Sequence, residues 1–142
     1  MSSGYKFTSR SALKTAVDLW ISDEASATNT YGDINTWDVS AITDFSSLFR
    51  DKKTFNSDIG NWVVSSGTDF EYMFSEASAF NQDIGDWDVS SGTNFHAMFL
   101  CYGNSVFNQD IGDWHVSNGT SFDSMFEGAT EFNQDIGDWD IS

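Results

Sequence analysis

Carboxylates that could bind a cation or a basic partner flank a tryptophan that recurs along the chain. The position before this tryptophan is occupied by Asn61, Asp86, Asp113 and Asp138. The position after it is occupied by Asp38, Val63, Asp88, His115 and Asp140. Carboxylates stacked about 5 Å apart in a parallel ladder repel each other unless salt, a counter-charge or a metal ion intervenes.

Three interpretations of this acidic face remain open. Ca²⁺ takes about six to eight oxygen ligands, and the candidate ligands are Asp86, Asp88, Asp113, Asp138 and Asp140. A basic protein could instead supply the counter-charge. The face could also do no more than keep a repeat protein soluble.

The candidate partner-binding residues are those of the acidic face together with two residues of a short insertion. They are Asp38, Asn61, Asp86, Asp88, Asp113, His115, Asp138, Asp140, Cys101 and Tyr102. The two histidines and the single cysteine do not form a catalytic spacing, and no phosphate loop or zinc motif is present. The sequence therefore predicts a protein that is not an enzyme and has no cofactor.

The elements that position these residues are repeats of about 25 residues. The tryptophans stand at Trp37, Trp62, Trp87, Trp114 and Trp139, and a Phe-Asn-x-Asp-Ile run follows the same period. Four full repeats span 34–58, 59–83, 84–110 and 111–135, and a partial one spans 136–142. Two extra residues in the third repeat fall within 100–106, which we expect to be an exposed loop. Such periodicity predicts a repeat solenoid.

Each repeat is expected to form one coil with a short parallel β-strand and a short helical turn. Alternation around Trp87 and Val89 indicates a half-buried strand, with Asp86 and Asp88 facing outward. The apolar spacing in 95–99 indicates the helical turn. Isoleucine, tryptophan, phenylalanine and methionine at equivalent positions then form one continuous core. The Asp of each Phe-Asn-x-Asp-Ile run is expected to bind backbone amides in a turn.

The two ends of the array differ from its middle. Residues 1–33 form an N-terminal lead-in, in which 11–21 has helical apolar spacing and Thr8 or Ser9 as N-cap. We expect this helix to cover the first coil, and the small polar residues 22–30 to link it to the repeats. The last coil has no cap, which suggests a shortened chain, a partner or end-to-end self-association.

Composition narrows the classes of partner. Six Lys and Arg against 22 Asp and Glu give a formal net charge of −16, which disfavours nucleic acids and anionic membranes. One cysteine rules out an intrachain disulfide framework. No segment approaches the length of a membrane span, so direct membrane insertion is not expected, and the first four residues do not resemble a signal peptide.

The motifs Phe-Asn-Gln-Asp-Ile-Gly-Asp-Trp-Asp-Val-Ser and Met-Phe resemble the BspA-like leucine-rich-repeat surface proteins. The branch most similar is that of the mycoplasma lipoproteins. This resemblance, which covers 31–142, implies a right-handed leucine-rich-repeat-like solenoid on a cell surface, and a role in adhesion or protein binding. The chain departs from the pattern at Gly67, Gly92 and Gly119, where the family often has an apolar residue.

The expected function is a non-catalytic protein-binding, adhesion or scaffold module that presents an acidic face to a protein partner. One alternative is a structural subunit that docks through its open C-terminal edge. Another is a Ca²⁺-binding surface module.

Overall fold

The computed structural model describes residues 4–141 and contains two helices followed by stacked turns. Helix α1 spans Arg10–Ser22, helix α2 spans Glu24–Tyr31, and a 3₁₀ turn spans Ile34–Thr36. The first three residues of the predicted lead-in, and Ser142 at the end of the partial repeat, lie outside the described residues. No helix in the described range is long and apolar enough to cross a membrane.

Helix α1 confirms the prediction of an amphipathic helix before the repeats. Ser9 is its N-cap, and the Ser9 side chain accepts a hydrogen bond from the Ala12 N–H at 3.2 Å. Its buried residues are Leu13, Ala16, Val17 and Trp20. The Trp20 indole packs edge-on against Trp37 and donates to the Ser57 hydroxyl at 3.0 Å, so α1 is packed against the first repeat.

Helix α2 lies where the sequence predicted a linker of small polar residues, and that prediction was wrong. Asp23 is the N-cap, and its carboxylate accepts from the N–H and the hydroxyl of Ser26. Ala27 is fully buried. One good cap and one small buried residue are enough for two helical turns once α1 provides a surface to pack on.

The predicted solenoid with one parallel β-strand per repeat is wrong, and with it the leucine-rich-repeat assignment. In residues 4–141 the β-bridges are isolated parallel ones that do not extend into strands. They join Lys6 to Asp38, Asp44 to Asp69, Asp69 to Asn94, and Asn94 to Ser121. The residues that the structure describes contain almost no strand and no sheet.

Local turns replace the predicted strand around Trp87. The Trp87 N–H donates to the Ile84 carbonyl at 3.1 Å, and the Gly92 N–H donates to the Val89 carbonyl at 2.8 Å. Between them, the Ser90 N–H donates to the Asp88 carboxylate at 3.0 Å. Because these backbone groups are bound within the repeat, they do not form a ladder with the next repeat.

Backbone pairing between repeats lies instead in the segment that was predicted to be a helical turn. The N–H groups of Phe70, Tyr72, Phe74 and Glu76 donate to the carbonyls of Asn94, His96, Met98 and Leu100. Positive φ angles of 57, 57, 53 and 59° occur at Ser47, Tyr72, Ala97 and Ser124. A left-handed residue in each repeat breaks a right-handed helix, so the helical-turn prediction was also wrong.

The predicted core residues are confirmed. Ile84, Trp87, Phe95, Met98 and Phe99 are each at most 3% exposed. Equivalent phenylalanine rings stack nearly parallel along the array, for example Phe70 on Phe95 with ring centroids 5.6 Å apart. The repeats are thus held together by stacked aromatic columns rather than by a sheet.

Glycine stands five residues after Trp62, Trp87 and Trp114, where an aromatic ring lies against it. A Cβ added to Gly92 would stand 2.5 Å from the Phe95 ring and 3.1 Å from the Phe70 ring. The same contact recurs at Gly67, against Phe70 and Phe45. A larger side chain at these places would collide with the stacked rings.

Candidate acidic binding face

The acidic face is held in register by the stacked tryptophans that lie between its side chains. The Trp87 and Trp114 rings stack with centroids 6.5 Å apart, and the Trp114 and Trp139 rings with centroids 6.3 Å apart. Each indole N–H donates to the carbonyl of an isoleucine in the preceding repeat, as Trp87 does to Ile59 at 3.1 Å. The residues before and after each tryptophan therefore project from equivalent places.

Burial alternates along this segment as predicted, although no strand forms. Trp87 and Val89 are buried, whereas Asp86 and Asp88 are exposed. Side chains on either side of a buried tryptophan face solvent because the ring occupies the interior. The same outward position is taken by Asn61, Asp113, His115, Asp138 and Asp140, all of which are exposed.

Two of the carboxylates are fixed by a serine two residues later. The Asp88 carboxylate accepts from the Ser90 hydroxyl at 2.5 Å and from the Ser90 N–H, and these bonds lower the pKa of Asp88. Positive charge on His115 contributes further in the same direction. Asp38 accepts the same pair of bonds from Ser40, which lower the pKa of Asp38. Both groups therefore remain charged to more acidic pH than a free aspartate.

Three carboxylates on the face have no such role in the backbone. Asp86, Asp113 and Asp138 are exposed, and no hydrogen bond or ion pair to another described residue is formed by their side chains. The repeat fixes the positions of these three carboxylates, but none of them forms a hydrogen bond or ion pair with a described residue. They are the best-placed groups to contact a partner.

Positive charge is concentrated at the opposite end of the molecule. All six Lys and Arg residues lie within the first 53 positions, whereas residues 54–142 carry 15 acidic side chains. Several cations are already paired: Lys14 and Lys52 both contact Asp18, at 2.8 and 3.0 Å, and Arg10 lies 3.6 Å from Asp44. Residues 54–142 contain no lysine or arginine of their own, and Lys53 lies 3.9 Å from one of their carboxylates, that of Glu76.

A groove lies at the N-terminal end of the acidic face. Its volume is about 450 Å³, and its lining includes Asp38, Ser40, Asn61 and Val63. Val63 is 55% exposed and interrupts the acidic row with an apolar side chain. The groove gives the face one concave, partly apolar place where an aliphatic stem of a partner could lie.

The structure does not gather the candidate calcium ligands into a cluster. Within residues 4–141, no group of three or more His, Cys, Asp or Glu side chains is arranged to hold a metal ion. Asp86, Asp88, Asp113, Asp138 and Asp140 are distributed along the face. Calcium binding stays a prediction without a built site.

The insertion in the third repeat divides into a buried base and an exposed tip. Cys101, a candidate partner-binding residue in the sequence, is only 2% exposed. Its thiol therefore does not face solvent. Tyr102 is 74% exposed, and a hydrogen bond to Glu127 raises the pKa of its phenol. The Tyr102 N–H donates to Glu76 at 3.0 Å, which fixes the tip on the second repeat.

Sequence reasoning missed a further group of functional importance, the basic cap of the first repeat. The Arg10 guanidinium donates to the Ser46 carbonyl, and Lys14 Nζ lies 3.4 Å from the Leu48 carbonyl. The restriction of all cations to the first 53 residues was the available signal. It would have indicated that residues 54–142 have an excess of negative charge.

The comparison with protein families decides what this chain is related to. The family described as "Mycoplasma protein of unknown function, DUF285" matches residues 19–102 and 100–142. The chain belongs to this family. Searches of the curated proteins and of the solved structures found no match. The relation to mycoplasma proteins expected from the sequence is thereby shown, whereas the closer BspA-like assignment is not.

Proposed function

We propose that this DUF285 protein is a non-catalytic binding module whose acidic face binds a basic segment of a partner protein. The observation that supports it most is the excess of negative charge in residues 54–142, which hold 15 acidic residues and no lysine or arginine. Such a field raises the rate of encounter with basic proteins and repels nucleic acids.

The geometry of the face supports recognition rather than solubility alone. Asp86, Asp113 and Asp138 share one position in consecutive repeats, and the tryptophans beside them are stacked. A solubilising surface needs charge but no register, whereas a regular row of carboxylates suits a partner segment with regularly spaced cations. Adhesion to a protein at a cell surface is the setting that the family resemblance implies.

The proposal predicts that neutralising the regular row weakens binding to a basic peptide. The variant Asp86→Asn, Asp113→Asn, Asp138→Asn should bind a synthetic peptide of alternating lysine and serine about tenfold more weakly. Calorimetry at about 0.15 M salt measures this change, because charges farther apart than about 8 Å are then screened. These three side chains form no hydrogen bonds within the fold, so the variant should remain folded.

A matched control removes the same number of charges from other places in residues 54–142. Glu71→Gln, Asp123→Asn, Glu131→Gln leaves the residues beside the tryptophans unchanged and should alter the dissociation constant by less than about twofold. Circular dichroism melting establishes that both variants are folded. Equal loss of affinity in the two variants would show that net charge, and not the acidic face, attracts the peptide.

A further inference from the structure

The backbone segments that bond between repeats carry side chains that differ from one repeat to the next. The Ser47 N–H donates to the Glu71 carbonyl at 2.8 Å, and the Tyr72 N–H donates to the His96 carbonyl at 3.0 Å. Equivalent positions of these segments hold unlike residues, for example Ser46, Glu71, His96 and Asp123. The stacking of the repeats therefore places chemically different side chains beside one another, whereas the core columns stack identical rings.

Three of these side chains, one from each of the first three repeats, form a connected group. The Arg50 Cζ atom lies 4.2 Å from the centroid of the Tyr72 ring. The Tyr72 hydroxyl lies 3.2 Å from His96 Nε2, and the two rings pack edge to face with centroids 5.2 Å apart. His96 thus holds the Tyr72 ring in place, and the ring gives the Arg50 guanidinium a fixed surface on which to stack.

The Arg50 guanidinium keeps its hydrogen-bonding groups available. The cations that contact a carboxylate, at 2.8 to 3.9 Å, are Arg10, Lys14, Lys52 and Lys53. Arg50 is exposed, and its side chain forms no ion pair or hydrogen bond with another residue in the described range 4–141. Stacking on a ring uses the flat face of a guanidinium, whereas its N–H groups point outward in the plane. A fork of donors is therefore held in one orientation and is open to solvent.

The charge around Arg50 differs from that of the rest of the chain. Residues 50–53 hold three of the six Lys and Arg, namely Arg50, Lys52 and Lys53, together with one acid, Asp51. This local excess of positive charge suits an anionic group of a partner. A carboxylate carries at most one negative charge, whereas a phosphate carries about 1.5 to 2 at neutral pH and is repelled more strongly by a chain of net charge −16. Charge complementarity therefore favours a carboxylate.

We propose that Arg50, Tyr72 and His96 form a second binding site, which accepts a glutamate or aspartate side chain of a partner protein. The Arg50 guanidinium binds the two carboxylate oxygens through parallel N–H groups, while Tyr72 and His96 position the guanidinium plane. Arginine and tyrosine are enriched among the residues that contribute most to protein interfaces. The site lies in the segments that bond between repeats and not beside the tryptophans, so it is separate from the acidic face and takes a partner of opposite charge.

Binding of an acidic peptide to the intact chain tests the proposal. The probe is a synthetic peptide of alternating glutamate and serine, titrated by calorimetry at about 0.15 M salt. We expect saturable binding that Arg50→Gln weakens at least about tenfold, because the carboxylate loses both donors. Arg50→Lys keeps the charge but not the fork, and should weaken binding at least about threefold. Tyr72→Leu removes the stacking surface and should weaken binding although Arg50 is present.

A matched control removes another exposed cation. Lys6 is exposed and forms no ion pair with a residue of the described range, so Lys6→Gln changes the net charge by the same amount as Arg50→Gln. It should alter the dissociation constant of the acidic peptide by less than about twofold. Circular dichroism melting establishes that the variants are folded. Equal weakening by Lys6→Gln and Arg50→Gln would show that net charge, and not the proposed site, governs binding.

The outcomes separate this proposal from that of the acidic face. The variant Asp86→Asn, Asp113→Asn, Asp138→Asn should bind the acidic peptide at least as tightly as the unmodified chain, because it repels the peptide less. Arg50→Gln should leave the affinity for the peptide of alternating lysine and serine within about twofold. Absence of saturable binding, undiminished affinity in Arg50→Gln or Arg50→Lys, or tighter binding of a peptide with phosphoserine in place of glutamate would each overturn the proposal.

Discussion

Asp83 accepts a hydrogen bond from the Gly85 N–H at 2.9 Å, and the same bond recurs in the neighbouring repeats. The equivalent pairs are Asp58 with Gly60, Asp110 with Gly112, and Asp135 with Gly137. The residue at this place bends the backbone before each tryptophan. Asp86, three residues later, is also acidic and exposed but binds no backbone group. At the residue scale, the repeated aspartates thus fall into a structural set and a set available for binding.

Replacing Asp83 with alanine should lower the free energy of unfolding by about 1 kcal/mol, because the Gly85 N–H loses its acceptor. The matched change Asp86→Ala should alter it by less than about 0.5 kcal/mol. Urea denaturation followed by tryptophan fluorescence measures both. Equal destabilisation by the two variants would contradict the division into two sets.

Helix α1 supplies cations at the N-terminal edge of the stack, where carbonyl groups of the first repeat meet no preceding repeat. In the second repeat, the carbonyls of Glu71 and Met73 accept from the N–H groups of Ser47 and Phe49. The equivalent carbonyls of the first repeat, those of Ser46 and Leu48, meet Arg10 and Lys14 instead. A helix that places two basic residues four positions apart can replace two backbone donors of a missing repeat. At the element scale, α1 covers the first repeat with two charged hydrogen-bond donors as well as with its apolar side chains.

Replacing Arg10 with alanine should lower the free energy of unfolding by about 2 kcal/mol, because the Ser46 carbonyl loses a charged donor. Lys6→Ala removes an exposed cation nearby and should have little effect. Guanidinium denaturation of the two variants measures the difference.

The variant Asp44→Asn separates the two contacts of Arg10. It removes the charge that lies 3.6 Å from the guanidinium but leaves the Ser46 carbonyl in place. A loss as large as that of Arg10→Ala would show that the ion pair, and not the capped carbonyl, is the stabilising contact.

The distribution of charge makes the whole molecule asymmetric. All lysines and arginines lie in the first 53 residues, at the end covered by α1. Residues 54–142 carry 15 acidic side chains and no lysine or arginine. At the molecular scale, most of the proposed acidic face therefore lies in the part of the chain with the larger excess of negative charge.

The melting temperature should rise by several degrees when sodium chloride is increased from about 0.01 to about 0.3 M, because screening weakens repulsion among the acidic side chains. Calorimetry measures the shift. The variant Asp86→Asn, Asp113→Asn, Asp138→Asn should show a smaller rise, since less repulsion is left to screen. A melting temperature independent of salt in both proteins would contradict this prediction.

The sequence by itself determined the period, the inward-facing residues and helix α1. Repeated side chains align with one another, so Trp87, Phe95 and Met98 identify the core without any knowledge of the backbone path. It also predicted the outward position of Asp86 and Asp88 and the turn-forming role of Asp83. Each of these depends on side-chain type and spacing alone.

Only the tertiary structure decided how the backbone is paired. The segment around Trp87 has the alternation of a strand, but its amides are bound by Ile84 and Asp88 within the same repeat. Backbone hydrogen bonds between repeats are formed instead by Phe70–Glu76, in which Tyr72 has a left-handed backbone conformation. An N–H group can bind an acceptor in its own repeat or one in the next repeat, and the distance to the next repeat decides which. The periodicity of the side chains does not specify that distance. For the same reason, the burial of Cys101 appeared only once the repeats were stacked.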